Sequence, residues 1–486
     1  MHRINLPMVL VLALATLGGC PSNNGGTDVV DPGDDNPTDP PPVPSETSLT
    51  WSISTVCTGT ETTTCEAYGS ARAAGIQGKL ARAPDGTLYY AYLKYEGDNG
   101  TCDIAVFGGG PVPNSRYDLK VAVRAPGAAF WQVETVPLDE VPAGDNLPYL
   151  GARYGLDGLY DETRNELVLV FAAGGPGLAS CASSDLVVAR RSVAGAWSFA
   201  VPASDSGACC AVCDPAAEGL ACCLDPSCNA GTDVGAWAAV ALDGAGNLGV
   251  SFTDYHNYWD QDGYHFVGYE LWEEDGGVRG IRPWSGKGDF GDLVYAGGMP
   301  IVAFTSYAGG GLYVARQTGA ATADDAWEEQ NLGLGWQVGE RINLAVAPDG
   351  TVGLTAFVAA DAGGPLADLV YTQSADQGAT WEPFEVVDHQ LLDAGRMPSL
   401  AFDRASRPGV SYQLVVTGGT SGDTRDLRFA WREEAGPWHV FDVDQDATRV
   451  TGAYSQLIFD PDTDAPVIVY QDVTRGAAMT AEGRLP

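Results

Sequence analysis

The sequence predicts an all-β protein: a seven-bladed β-propeller of four-stranded antiparallel blades, its last blade closed by a strand from the N-terminal end. Three observations predict it. Of the 486 residues, 45% are hydrophobic, yet 62 are glycine and 30 proline, too apolar for a disordered chain and too interrupted for a helical bundle. A Gly, four variable positions and a Leu or Val recur in seven segments: Gly75-IQGK-Leu80, Gly151-ARYG-Leu156, Gly235-AWAA-Val240, Gly288-DFGD-Leu293, Gly339-ERIN-Leu344, Gly395-RMPS-Leu400 and Gly452-AYSQ-Leu457. The glycines are spaced by 76, 84, 53, 51, 56 and 57 residues, a period that suits one blade per copy. Six or eight blades, or two β-sandwiches, are the alternatives, and the even repeat argues against sandwiches.

Each copy justifies its strands in order. The glycine segment opens a first apolar run, and in most copies an Asp turn leads to a second, as in LAVAPDGTVGLTAF at 344–357 and LIFDPDTDAPVIVY at 457–470. Alternating apolar residues around an Asp/Gly/Pro turn specify a hairpin. A third run follows in six copies, then a segment holding Trp131, Trp197, Trp272 or Trp284, Trp327, Trp381 or Trp438. The seventh copy has room for three strands only. Ser48-Leu49-Thr50-Trp51-Ser52-Ile53-Ser54 supplies the fourth, which would close the ring and remove its free sheet edges.

The body, residues 48–486, is preceded by two other regions. His2 and Arg3 lead into an apolar run, Ile4–Leu17, too short for a membrane span of about 20 residues. Residues 1–19 therefore form an export signal. Its last residues, Leu17-Gly18-Gly19-Cys20, resemble the lipobox of bacterial lipoproteins, which implies lipidation of Cys20 and a membrane partner through that lipid. Residues 20–47 then form an acidic, proline-rich tether with prolines at 40–42 and 44. The expected location is the cell envelope, outside the cytoplasm.

The formal charge is −37, from 63 acids against 26 bases, and the tether holds only six of those acids. A body this acidic would repel phosphates, which excludes nucleic acid as a partner.

One motif names a superfamily. Ser374-Ala375-Asp376-Gln377-Gly378-Ala379-Thr380-Trp381 matches S-x-D-x-G-x-T-W, the Asp-box of bacterial neuraminidase repeats, at the expected turn from third to fourth strand. Asp can bind the turn amides, Gly supplies positive φ, and Trp packs between sheets. Residues 48–486 thus resemble the sialidase-like Asp-box propellers, in which the box is structural and stands away from the active face. The resemblance also implies a search for the sialidase arginine triad, acid and Tyr–Glu pair. Arg396-Met397-Pro398 resembles the family's F/Y-R-I-P, but with Gly395 for the aromatic, Met397 for Ile, and in the sixth copy. Arg153 and Arg341 lie in the corresponding segments, one position further on. Three arginines could clamp a carboxylate, although no Tyr–Glu pair can be singled out.

Apart from Cys20 there are ten cysteines: Cys57, Cys65, Cys102, Cys181, Cys209, Cys210, Cys213, Cys222, Cys223 and Cys228. In an exported chain they imply up to five disulfides of undeduced pairing. Six lie in an insertion at about 201–234, and without a nearby His they favour disulfides over zinc. Propeller topology puts all ten in second-to-third-strand loops or between-blade connections, on the face opposite the Asp-box. The loop with Asp254, Tyr255, His256, Tyr258, Trp259, Asp260 and Asp262 belongs to that face too, where aromatics and carboxylates could hold a sugar or a side chain.

The acidic triplets Asp442, Asp444, Asp446 and Asp460, Asp462, Asp464 lack the Gly and Glu of a calcium loop and are taken as turns. No metal and no cofactor is expected. The leading expectation is a monomeric, non-catalytic binder of a protein or glycan through the disulfide-stapled face. The alternative is a sialidase-type hydrolase using Arg396, Arg153 and Arg341.

Overall fold

Alternation of apolar and polar residues between Asp/Gly turns gives 29 short strands among the described residues. The computed structural model describes residues 49–56, 74–102, 112–141, 151–174, 184–203, 234–254, 266–272, 278–279, 284–285, 289–305, 311–318, 327–334, 338–358, 368–388, 394–419, 422–433, 436–446 and 448–485.

After β1 (Ser52–Thr55), the first blade comprises β2 (Ala74–Arg82), β3 (Leu88–Cys102), β4 (Val112–Arg124) and β5 (Gln132–Thr135). The second comprises β6 (Gly151–Asp161), β7 (Glu166–Gly174), β8 (Ser184–Ser192) and β9 (Trp197–Ala203). The third holds β10 (Val234–Leu242), β11 (Leu248–Asp254), β12 (Phe266–Trp272) and a broken outer strand, β13 (Val278–Arg279) and β14 (Trp284–Ser285). The fourth holds β15 (Asp289–Ala296), β16 (Met299–Thr305), β17 (Leu312–Gln317) and β18 (Trp327–Asn331), and the fifth β19 (Val338–Val346), β20 (Val352–Val358), β21 (Asp368–Ser374) and β22 (Glu385–Asp388). The sixth holds β23 (Ala394–Phe402), β24 (Pro408–Gly419), β25 (Gly422–Arg432) and β26 (Trp438–Asp444). Finally, β27 (Ala453–Phe459), β28 (Pro466–Asp472) and β29 (Ala477–Glu482) take β1 as their outer strand, with Ser52 opposite Glu482 and Thr55 opposite Met479. The fold is thus an all-β propeller with four-stranded antiparallel blades: six of consecutive strands and a terminal sheet drawn from both ends of the described chain.

The core lies between blades rather than at a single centre. Each cluster of buried apolar side chains joins two neighbouring sheets. Phe171 and Leu169 of β7 meet Leu119 and Val121 of β4, for example, and Leu80 and Tyr90 of the first blade meet Val467 and Val469 of the terminal sheet. That last cluster completes the circle. Burying side chains of this size contributes roughly 2 kcal/mol each.

Close approach of neighbouring blades requires glycine at the start of inner strands. A Cβ on Gly395 (φ +97°) would lie 2.8 Å from the Leu369 Cα on β21, and one on Gly452 (φ +78°) 2.8 Å from the Leu427 Cα on β25. The repeating glycine is therefore a packing residue.

One open alternative is decided and one local reading changes. Trp272 ends the third strand of its blade, whereas Trp284 belongs to the interrupted fourth. Asp442 and Asp444 lie within β26 instead of a turn.

Candidate functional site

The inner strands β2, β6, β10, β15, β19, β23 and β27 surround an axial channel. Each contributes one residue at the same height: Lys79, Asp157, Ala239, Asp292, Asn343, Ser399 and Gln456. In most blades that residue precedes the repeat's Leu or Val. In the second it is Asp157, so the repeat there is displaced by two residues from the Gly151–Leu156 alignment.

What unites these positions is an amide to be capped. Inner strands carry bulges in every blade, and each bulge frees a backbone N–H near the channel. The Asp157 carboxylate accepts from Val240 N of the third blade at 2.8 Å. Asn343 Oδ1 accepts from Leu400 N at 2.6 Å, and Ser399 Oγ from Leu457 N at 3.0 Å. Ala239 has no acceptor to offer the fourth blade. There Asp292 serves both sides, accepting from its own neighbour Leu293 N at 2.9 Å and from Leu344 N at 2.6 Å, with Asn343 Nδ2 adding a third bond at 2.7 Å. Lys79 can only donate, and its ammonium stands 2.6 Å from Asp157.

Burial pushes the Asp292 carboxyl up to about 6, with the Asp157 charge adding to the rise and Lys79 and the two amides opposing it. The cavity between these groups has a volume of about 70 Å³ and is lined by Lys79, Asp157, Trp237, Asp292, Asn343 and Gln456, among others. At about 10–15 Å³ per water it holds a handful of waters, far from the ~300 Å³ of a small-molecule pocket.

The candidate arginines fall at three successive strand positions. Counting from the channel residue of each blade, Arg153 stands four residues before Asp157, Arg396 three before Ser399 and Arg341 two before Asn343. Arg396 is half-buried, with its guanidinium 5.6 Å from the centre of the Phe357 ring. Arg153 pairs with Ala172 through its backbone and Arg341 lies in β19; their side chains are outside the described residues.

Asp254 ends β11 between Val234 and Phe266, and Cys102 ends β3 opposite Val112, both at the second-strand end of their blades. Tyr255, His256, Tyr258, Trp259, Asp260 and Asp262 lie outside the described residues. So do Cys20, the tether, Cys57, Cys65, Cys181, Cys209, Cys210, Cys213, Cys222, Cys223 and Cys228. At that end of the first blade, β3 and β4 run on as a two-stranded ribbon. β2 stops pairing at Lys94 and β5 at Lys120, while the β3–β4 ladder continues to Cys102 and Val112.

The Asp-box occupies the opposite end. Asp376 accepts from Thr380 Oγ1 at 2.7 Å, Thr380 N at 2.8 Å and Ser374 Oγ at 2.8 Å, and these bonds, Thr380 first, hold its pKa down to about 2. Gly378 has φ +80°, and Trp381 packs into the cluster between the fourth and fifth blades.

Sequence reasoning missed a paired clasp between blades. Tyr412 donates to Asp388 at 2.6 Å, beside Arg428, and Tyr470 donates to Asp444 at 2.7 Å, beside Arg449. The glutamines that follow reach towards the next inner strand: Gln413 donates to Thr451 O, just ahead of β27, and Gln471 to Ala74 O of β2. The recurring Tyr-Gln dipeptide was the available signal.

Both acidic triplets are held by arginines. Arg428 binds Asp442, Arg449 binds Asp444, Asp446 and Asp472, and Arg82 and Arg404 bind Asp460, Asp462 and Asp464. Among the described residues no three His, Cys, Asp or Glu side chains are grouped to hold a metal.

No family model matches the chain, and no curated protein does. Solved structures align over most of its length at low identity. A Hadza microbial sialidase matches at 14% identity, covering 86% of this chain and 66% of that one, with a TM-score of 0.45. An α-L-arabinanase of Penicillium chrysogenum matches at 11% identity, covering 84% and 92%, with a TM-score of 0.44. The β-propeller domain of the trilobed protease from Pyrococcus furiosus matches at 10% identity, covering 85% and 95%, with a TM-score of 0.41.

Proposed function

We propose that the protein is a non-catalytic, seven-bladed propeller, lipid-anchored outside the cytoplasm, that binds a protein or glycan through its disulfide-stapled face. The observation that carries the reading is the employment of the channel groups. Asp157, Asp292, Asn343 and Ser399 cap strands of the next blade and Lys79 pairs with Asp157, beside a cavity too small for a sugar ring. A hydrolase needs an acid and a base facing a substrate-sized space, and these groups face one another. The ribbon of β3 and β4 adds surface on the face where Cys102 and Asp254 end their strands. Loops and ribbons of that kind carry recognition on rigid scaffolds.

The test uses the oxidised chain from residue 21, probed on glycan and protein arrays and assayed with a fluorogenic sialoside, with Arg396→Ala as control. Array binding without turnover is the expected result. Turnover abolished by Arg396→Ala would replace this reading with the sialidase-type one.

A further inference from the structure

We propose that the Asp-box face carries a membrane-docking rim on the first and second blades, formed by the Ala125–Phe130 turn and the adjoining Val193–Ala196 turn. This rests on the lipid-anchored reading above. Six other turns on this face are acidic: Asp85, Asp161, Asp243, Asp349, Asp403 and Asp460 each accept backbone amides in one. The two rim turns contain no charge at all. All six residues of Ala125-Pro126-Gly127-Ala128-Ala129-Phe130 are exposed. Phe130 is 69% exposed and Val193 60%, the two most exposed large apolar side chains described. The turns are neighbours, because Glu134 just beyond the first binds both Arg191 and Trp197 Nε1, which flank the second. That bonding also occupies the Glu134 carboxylate.

The chain arrives beside this rim. Ser52 pairs with Glu482 at the end of β29, and Glu482 forms an ion pair with Arg124, the residue immediately before the exposed turn. Arg124 in turn stacks 4.8 Å from the Trp131 ring, immediately after it. The tether therefore joins the body next to Phe130, and exposed Arg484 lies at the same corner. A 27-residue tether spans about 30 Å as a coil and about 85 Å as extended polyproline. Anchored through Cys20, it would hold this rim near the bilayer at high effective concentration, so a weak contact suffices. An uncharged, aromatic-tipped rim is a part of a strongly acidic protein that can approach an anionic or zwitterionic surface with little repulsion.

The test separates docking from lipidation. A hexahistidine tag ahead of residue 21 captures the chain, through its own tether, on phosphatidylcholine vesicles doped with nickel-chelating lipid. Hydrogen exchange is then compared with the same chain in solution. Docking slows the amides of 125–130 and 192–196 by about tenfold, leaves the turn at 403–407 unchanged, and is abolished in Phe130→Ser/Val193→Ser, whose replaced side chains are exposed and not needed for folding. Equal exchange on vesicles and in solution overturns the proposal. The mass of Cys20 in chain extracted from membranes tests the anchor separately: an unmodified Cys20 refutes the lipid reading, whatever the vesicles show.

Discussion

The Lys79 ammonium stands 2.6 Å from the Asp157 carboxylate, so a charge pair joins the first and second inner strands inside the channel. Asp157 simultaneously accepts from Val240 N of the third blade, which makes one side chain the junction of three blades.

Replacing Asp157 by Ala should therefore cost about 3 kcal/mol, since it removes the carboxylate 2.6 Å from the largely buried Lys79 ammonium and orphans a buried amide together. Asp462→Ala, removing an exposed partner of Arg82, should stay within about 0.5 kcal/mol. Urea midpoints of the two variants against the parent measure the contrast. Equal losses would show that the channel pair is not a junction.

The channel also predicts a pH dependence. The folded pKa of Asp292, about 6, lies above the ordinary carboxyl value of 3.8. Between those values the unfolded chain has lost its proton while the folded one keeps it. The contribution to stability is thus fullest below about pH 4 and is lost as pH rises through 6, on the order of 3 kcal/mol. Asp292→Asn should remove this slope from urea midpoints measured between pH 4 and 7. A parent profile superposable on that of the variant would sink the assignment.

Asp376 works in the opposite direction. Its folded pKa, about 2, is depressed by Thr380 and Ser374, so its contribution is complete above the ordinary carboxyl value and disappears as pH falls through 2. Asp376→Ala should weaken the Asp-box turn by about 1 kcal/mol at neutral pH, with little effect at pH 2. Thermal midpoints at the two pH values distinguish this from a change in packing.

Two left-handed glycines, one in a turn and one in the repeat, separate strain from collision. Gly350 has φ +91° with nothing within 4 Å of its notional Cβ, whereas Gly395 combines φ +97° with the Leu369 backbone at 2.8 Å. Alanine at 350 should cost about 1–2 kcal/mol of left-handed strain, and alanine at 395 about 3 kcal/mol because the neighbouring blade must also move. Calorimetric midpoints of the two single variants make the comparison.

These contrasts explain what was legible in the sequence. Asp/Gly turns and alternating runs show the blades because the hairpin code is local, and Ser48–Ser54 is recognisable as a strand with no partner nearby in sequence. The channel ring is not legible, since what repeats is a backbone N–H needing an acceptor, which Asp157, Asp292, Asn343 and Ser399 satisfy with different side chains. The two-residue displacement in the second blade hides Asp157 further. Arg153 and Arg341 look equivalent when aligned on glycine but stand four and two residues before the channel residues Asp157 and Asn343.

Closure of the ring gives the last prediction. β1 has four residues, all exposed, and its hold on β29 depends on what flanks it. On one side the Trp51 ring meets Phe429 edge-on at 5.6 Å and covers Gly483; on the other Val56 is fully buried and its amide donates to Ala478 O at 3.0 Å. Two apolar plugs thus hold a strand that has little burial of its own. Trp51→Ala should cost about 2 kcal/mol, below the usual loss for a fully buried Trp because the side chain is only partly buried. The β29 amides of residues 479–482 should then exchange faster, while those of β24 remain at the parent rate. If both strands accelerate together, Trp51 supports the whole ring; if neither does, the ladder from Ser52 to Thr55 holds without its plug.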